Sequence, residues 1–177
     1  MKGKTKTIGL QPLTEYENKF QEVPEYLCQE PLCLKFLEDG KTANMTIRTF
    51  AYYGNRFPEY KKFIDDSFKE LDSKKIKNLV IDVRSNGGGP SDAGIYLLRY
   101  LVENPFTYFS SAQFDESEEP VTPFKNTFKG KLYFIVDGNG GSTTGHFMSL
   151  VKKMNLATLV GEELGSNHFC TGGQKRL

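Results

Sequence analysis

The fold is decided by the sequence KNLVIDVRSNGGGPSDAGIYLLRYL, residues 77–101, which joins a strand, a glycine loop and a helix. Residues 79–83 form a short apolar run between polar neighbours, which is typical of a buried parallel strand. The loop RSNGGGPSD follows, and the apolar residues of the segment 93–104 then recur at helical spacing and stop before Pro105. A strand that passes through a tight loop into a helix predicts one unit of an α/β fold.

The same order returns in KLYFIVDGNGGSTTGHFMSLVKKMNLATLVGEELGS, residues 131–166. The apolar segment 132–137 is expected to be a strand, and a second glycine turn leads from it into a helix over residues 143–155. Residues 157–162 then form the next strand. Strands that alternate with helices predict a parallel sheet with helices packed against it.

Upstream of these units, residues 32–37 and 43–50 alternate apolar and polar side chains around Asp39-Gly40. Because glycine accepts the positive φ of a tight turn, this pattern predicts an antiparallel β-hairpin. Residues 57–78 place aromatic and aliphatic side chains at helical spacing between charges, which indicates an amphipathic helix. The expected fold class is therefore α/β, with an N-terminal β-hairpin before the alternating units.

Two segments lie outside this pattern. Residues 1–30 are polar and show no sustained periodicity, so we expect a lead-in segment or linker there, with the core domain over 31–177. Residues 110–130 carry two prolines and an acidic cluster, which predicts an excursion over the surface.

Composition excludes several classes of protein. The 177 residues are 38% hydrophobic, which supports one domain with a real core. Lys plus Arg is 23 and Asp plus Glu is 22, and this net charge of +1 gives no electrostatic reason to expect binding of nucleic acid or of an anionic membrane. No apolar run approaches the roughly 18 to 20 residues of a transmembrane helix, and the first residues lack the apolar region of a signal peptide.

The three cysteines, Cys28, Cys33 and Cys170, form no pattern of zinc ligands. Cys28 and Cys33 are close enough in sequence to bridge, but buried free thiols are the favoured interpretation.

Ser142 directly follows Gly140-Gly141, at the point where a strand is expected to turn into a helix. One role for such a serine is to cap the helix by accepting a hydrogen bond from an unpaired amide. The other is that of an exposed nucleophile near the positive end of the helix dipole. The loop alone leaves both roles open. Neither glycine loop matches a phosphate-binding pattern, because NGGGPSD lacks the P-loop lysine and DGNGGSTTG has no acidic ribose partner.

Taken together, the two blocks resemble the S41 serine peptidases, the family of C-terminal processing (tail-specific) and tricorn-type proteases. Residues 77–101 resemble the family segment in which a strand leads to D-x-R-x-N-x-G-G and a helix. Residues 131–166 resemble its nucleophile block, with Ser142 at the nucleophile position and Gly161-Glu162 at the G-E that ends the following strand. The resemblance spans about residues 70–175.

This resemblance implies a ClpP/crotonase-like core and a serine endopeptidase that needs no metal or organic cofactor. The expected substrates are peptides or unfolded proteins, including C-terminal segments. Ser142 would form an acyl-enzyme, and the tetrahedral oxyanion would be held by the amide of Thr143 and by an amide of Gly88 or Gly89. Many members are exported, although the compartment of this chain is not fixed by its sequence.

The general base is where the sequence departs from the family. Processing proteases place a lysine on the loop after the G-E strand, but here no lysine occurs before Lys175. His168 lies close to the expected position and is the candidate base. His146 follows Ser142 by one helical turn and is expected to point away from a substrate, and Glu162 and Glu163 are candidate orienting acids that are more often simply solvated.

A tricorn-type arrangement would take its histidine from a region upstream of the core, and the sequence has no histidine there. We therefore expect a core that is incomplete at both ends and only weakly active by itself. Two other functions remain open. The chain could be a catalytically incomplete relative that binds extended peptides, or, on weaker grounds, a crotonase-type acyl-CoA enzyme that uses the same oxyanion chemistry.

Overall fold

The computed structural model describes residues 27–109 and 119–166. These residues form an α/β domain with one mixed five-stranded sheet and three α-helices. The strands are β1 (Leu32–Phe36), β2 (Thr42–Ile47), β3 (Asn78–Asp82), β4 (Lys131–Val136) and β5 (Thr158–Gly161), and the helices are α1 (Phe57–Ser73), α2 (Ser91–Leu101) and α3 (Thr143–Lys153).

The strands lie in the sheet in chain order, β1-β2-β3-β4-β5. β1 pairs antiparallel with β2, and β2, β3, β4 and β5 are mutually parallel. The predicted hairpin is confirmed, and its turn is fastened by Asp39, whose Oδ1 accepts the amides of Lys41 and Thr42 at 2.9 and 2.8 Å. The predicted ClpP/crotonase-like α/β fold class is confirmed. α1 and α3 lie within their predicted segments, and α2 begins two residues before its predicted segment.

The helices bury the apolar faces that their spacing predicts. Tyr60, Ile64 and Leu71 of α1 are buried, as are Leu97 of α2 and Phe147 of α3. α2 contacts both α1 and α3, so the three helices form a continuous layer. Together with the central strands they enclose one hydrophobic core. None of the helices in the described part of the chain is both long enough and apolar enough to cross a membrane.

The preference for free thiols was wrong for two of the three cysteines. Cys28 and Cys33 form a disulfide that closes a short loop at the start of β1. The amide of Arg48 bonds to the carbonyl of Pro31 within that loop at 2.9 Å, which ties the loop to the end of β2. Sequence spacing permits such a bridge but does not show whether the backbone brings the two residues together.

Several predictions concern residues outside the described ranges. They include residues 1–26 of the lead-in segment, residues 110–118 of the surface excursion and Cys170. Within the described part of the excursion, Phe106 and Val121 pair as a single antiparallel bridge.

Candidate active site

The two glycine loops lie side by side because they follow adjacent parallel strands. Asp82 of β3 is in register with Ile135 of β4, so both strands deliver their loops to the same edge of the sheet. Two contacts join the loops. The amide of Gly141 donates to the carbonyl of Asn86 at 3.0 Å, and the amide of Ser85 donates to Oδ1 of Asp137 at 2.8 Å.

Ser142 occupies a backbone conformation that is rare for a residue with a side chain. Its φ is 48° and its ψ is −124°, at the residue that precedes the first turn of α3. Its side chain is exposed and makes no capping hydrogen bond. The Ser142 hydroxyl therefore does not cap α3. A strained, exposed serine at a helix start has the geometry expected of a nucleophile on a strand-to-helix turn.

Gly88 lies directly against this serine. A Cβ built on Gly88 would be 2.9 Å from the Cβ of Ser142 and 2.9 Å from the amide nitrogen of Thr143. The φ of Gly88 is 97°, which L-residues with side chains rarely adopt. The missing side chain thus lets the first loop approach the start of α3.

Two backbone amides near Ser142 differ in their partners. Thr143 is the first residue of α3, and an amide at that position has no acceptor within its own helix. By contrast, the amide of Gly88 donates to Oδ1 of Asn86 at 3.0 Å. Of the two glycines predicted as oxyanion donors, Gly88 therefore has its amide engaged in this conformation.

The Thr143 side chain adds a further link between the loops, because its Oγ1 donates to the carbonyl of Gly89 at 2.5 Å. Gly89 in turn packs against the chain that follows β2. A Cβ on Gly89 would overlap the backbone of Phe50 and Ala51, and the amide of Phe50 donates to the carbonyl of Gly88 at 3.1 Å. Three successive segments of the sheet edge are thus fixed around the amides beside Ser142.

Asn86 was not assigned a role from the sequence, yet it is the hub of this arrangement. It is fully buried, and its Nδ2 donates to the carbonyl of Ile47 at 3.0 Å while its Oδ1 accepts the Gly88 amide. Its backbone carbonyl accepts the amide of Gly141. Only its place in the D-x-R-x-N-x-G-G pattern marked it in the sequence. Asp82 and Arg84 of the same pattern form a largely buried ion pair, with Nη2 2.6 Å from Oδ2.

The structure brings no base to the serine within the described residues. No residue of 27–109 or 119–166 forms a hydrogen bond with the Ser142 hydroxyl. His146 is buried, with its Nε2 2.8 Å from the carbonyl oxygen of Tyr108, so it points away from the site as expected. Glu162 and Glu163 are exposed, in agreement with the simpler interpretation. His168, the predicted base, lies outside the described residues.

The loop after β5 also reaches the site. Leu164 packs against the position that a Gly140 side chain would fill, and Oγ of Ser166 donates to the carbonyl of Ser142 at 3.3 Å. The loop predicted to carry the base therefore passes close to the serine at its last described residue. Across the described ranges, no three His, Cys, Asp or Glu side chains are grouped so that they could hold a metal ion.

The sequence profile of peptidase family S41 matches residues 41–172. The chain belongs to peptidase family S41. The match covers both glycine loops and Ser142, and membership of a peptidase family supports a peptidase function. No curated protein matches the sequence.

Solved structures of S41-type folds resemble this member of the family. The photosystem II D1 C-terminal processing protease is 20% identical with a TM-score of 0.55, and the match covers 70% of this chain and 31% of that protein. An inferred peptidase of Parabacteroides merdae is 17% identical with a TM-score of 0.60, over 87% of this chain and 50% of that one. An inferred S41 protease of Bacteroides fragilis is 13% identical with a TM-score of 0.53, over 77% and 39%.

These likenesses concern the fold. The S41 chain described here spans between about a third and a half of the length of these three structures, so it corresponds to part of each of them.

Proposed function

We propose that this protein is a serine endopeptidase that hydrolyses peptide bonds through an acyl-enzyme at Ser142. The observation that carries the proposal is the conformation of Ser142, which is exposed, strained and without a capping hydrogen bond at the start of α3. Holding a serine in this way has a cost in stability and gives no structural hydrogen bond in return. Exposure of the hydroxyl to a substrate is the function that accounts for that cost.

In the proposed reaction, Oγ of Ser142 attacks the carbonyl carbon of a peptide bond while a base takes its proton. The tetrahedral intermediate then collapses, the amine product leaves with that proton, and water hydrolyses the acyl-enzyme by the same route. The described residues supply the serine and the oxyanion donors. The base comes from the loop after β5 or from another segment, with His168 as the candidate in this sequence.

The oxyanion would be held by the amides of Thr143 and Gly89. The Thr143 amide lies next to the nucleophile at the positive end of α3, where a developing negative charge is stabilised. We assign the second donor to Gly89 rather than Gly88, because the Gly88 amide is already bonded to Asn86. Each such donor contributes about 3 to 4 kcal/mol of transition-state stabilisation in serine peptidases.

A peptide-binding module without catalysis is the second candidate, and one observation favours it. Among the described residues β5 is an edge strand, and its four residues are all exposed, so that edge can pair with an extended peptide. Without a base, the protein would then hold a peptide beside Ser142 and not cleave it. An extended substrate fits both functions, and cleavage separates them.

The test is cleavage of a reduced, carboxymethylated protein by the chain, by Ser142→Ala and by the matched control Ser149→Ala. Ser149 lies on α3, where its hydroxyl bonds to the carbonyl of Gly145 at 2.8 Å. We expect Ser142→Ala to abolish cleavage and Ser149→Ala to retain it. Cleavage that persists in a well-folded Ser142→Ala protein would show that Ser142 is not the nucleophile. Binding of the substrate with no cleavage by any version would favour the binding module.

A further inference from the structure

A basic cleft lies at the end of the sheet opposite Ser142. Its volume is about 840 Å³, and it is bounded by the C-terminal end of α1, the starts of β2, β3 and β4, and the loop before β4. Five lysines line this cleft, together with one acid: Lys41, Lys75, Lys77, Lys129, Lys131 and Asp72. This volume is in the range of roughly 300 to 1,000 Å³ that is usual for ligand sites. The proposed peptidase chemistry makes no use of it.

Three of the five lysines form no ion pair within the described residues, and the Asp39 carboxylate lies near Lys41, whose amide donates to it. Lys75 pairs with Asp72 at 3.0 Å, and Lys129 pairs with Glu103 at 2.7 Å. The remaining lysines are Lys41, Lys77 and Lys131, and none of them has a carboxylate of the described residues within 4.0 Å of its ammonium group.

The backbone holds these three lysines in one place. Lys41 directly precedes β2, Lys77 directly precedes β3, and Lys131 begins β4. The amide of Lys77 donates to the carbonyl of Lys41 at 2.9 Å, and the amide of Lys131 donates to the carbonyl of Lys77 at 2.8 Å. The backbones of the three lysines are thus fixed on neighbouring strands, and their exposed side chains bring three positive charges to one cleft. Their mutual repulsion is relieved when an anion binds there.

We propose that this cleft binds an acidic segment of polypeptide. The amides at the starts of β3 and β4 already donate to backbone carbonyls, and those at the start of β2 donate to the carboxylate of Asp39. They therefore cannot form the nest of free N–H groups that holds a single phosphate. Separate ammonium groups match separate carboxylates along a peptide. The floor adds apolar surface from Phe68, Ile76 and the half-buried Phe128, which suits apolar side chains between the acids.

A nucleic acid is the less suitable polyanion. The chain has a net charge of +1, and the cleft carries three lysines without an ion pair in the described residues and has no arginine among its lining residues. β4 has six residues, so the cleft lies about 20 Å from the Ser142 edge of the sheet at ~3.3 Å per residue. The proposed site is therefore separate from the proposed active site and does not depend on its chemistry.

Fluorescence anisotropy would test the proposal with a fluorescein-labelled twelve-residue probe peptide that carries six Glu and two Phe. A matched peptide with Gln at each Glu position and a twelve-nucleotide single-stranded DNA serve as comparison probes. All proteins carry Ser142→Ala, so that cleavage of the probe peptide at the proposed active site cannot affect the result. The cleft variant is Lys41→Gln, Lys77→Gln and Lys131→Gln together. The control removes the same charge from exposed lysines elsewhere, by Lys35→Gln, Lys152→Gln and Lys153→Gln.

We expect the Glu peptide to bind at least about tenfold more tightly than the Gln peptide at low salt, and the cleft variant to lose about tenfold in affinity. The control variant should stay within about twofold, and the corresponding Lys→Arg triple variant should retain binding because it keeps the charges. Equal losses in cleft and control variants, equal binding of both peptides, or loss in the Arg variant would overturn the proposal. So would tighter, lysine-dependent binding of the DNA.

Discussion

At the scale of single residues, Asn86 connects three parts of the candidate site. Its side chain links the end of β2 to Gly88, and its carbonyl holds the turn before Ser142. We expect Asn86→Ala to lower the free energy of unfolding by about 3 kcal/mol, because it leaves two buried polar groups unpaired. Urea unfolding measures this, with exposed Asn126→Ala as a control that should change stability by no more than about 0.5 kcal/mol.

The same substitution separates a positioning role from a merely structural one. If Asn86 positions the amides beside Ser142, Asn86→Ala should lower kcat more than it raises KM in protein that is still folded at the assay temperature. An unchanged kcat would show that Asn86 serves stability alone.

Alanine substitutions at two glycines of the first loop are expected to affect stability differently. A Cβ on Gly89 would overlap the backbone of Phe50, whereas a Cβ on Gly87 meets nothing within 4 Å. We expect Gly89→Ala to destabilise the protein by about 2 kcal/mol or more, because neither the backbone at Gly89 nor that at Phe50 can move freely to avoid the overlap. Gly87→Ala should stay within about 0.5 kcal/mol of the parent protein. Thermal unfolding of the two variants checks this, and equal stabilities would contradict the packing described for the loop.

The sequence predicts Ser142 and the glycine loops but not the partners of their amides. Strand-to-helix turns are recognised from local pattern, since apolar runs and glycines lie close together in the chain. The bonds from Asn86 to Ile47 and Gly88, by contrast, depend on how β2 and β3 lie in the sheet. We could choose between Gly88 and Gly89 as the proposed oxyanion donor only once those contacts were known.

At the scale of elements, Asp65 joins α1 to α2. Its Oδ1 accepts hydrogen bonds from the hydroxyls of Tyr96 and Tyr100, both at 2.6 Å. We expect Asp65→Ala to cost about 2 kcal/mol of stability, because two charge-assisted hydrogen bonds are lost. The neighbouring Asp66 forms an exposed ion pair with Lys62, its one ion-pair partner in the described residues, so Asp66→Ala should cost about 0.5 kcal/mol or less. Similar effects of the two substitutions in urea unfolding would contradict this assignment.

The pH dependence follows from the same contact. Burial, and then the bonds to Asp65, raise the pKa of Tyr96 and of Tyr100 above the ordinary tyrosine value. A raised pKa in the folded protein means that the contribution is fully present below the unfolded value of about 10 and is lost as the pH rises above it. Stability measured from pH 8 to 11 should fall less steeply in Asp65→Ala than in the parent protein.

Element boundaries and the hairpin were predictable because their signals are local. The alternation around Asp39-Gly40 and the helical spacing after Phe57 need no knowledge of the rest of the chain. The disulfide between Cys28 and Cys33 was not predictable in this way. Its formation depends on the turn that brings the start of β1 back towards Arg48.

At the scale of the whole molecule, the described residues include Ser142 and the proposed oxyanion donors, and none of them forms a hydrogen bond with the Ser142 hydroxyl as a base would. We expect the chain by itself to cleave unfolded substrates slowly, because general base catalysis contributes roughly 10² to 10⁴-fold. The comparison is the chain with its His168→Ala variant on one substrate at several pH values. Rapid cleavage that His168→Ala abolishes, with a pH profile near the ordinary histidine pKa, would contradict this expectation and identify His168 as the base.

The position of Ser142 at the carboxyl edge of the sheet is what makes this core a candidate peptidase site. The measurement that tests it most directly is the site of covalent modification by a fluorophosphonate, located by mass spectrometry of peptides from the labelled, folded protein. The structure predicts that the adduct accumulates at Ser142, even if slowly, and that Ser142→Ala is not labelled while Ser149→Ala is. An adduct at another serine, or none on Ser142 after prolonged exposure of folded protein, would contradict the assignment of Ser142 as the nucleophile.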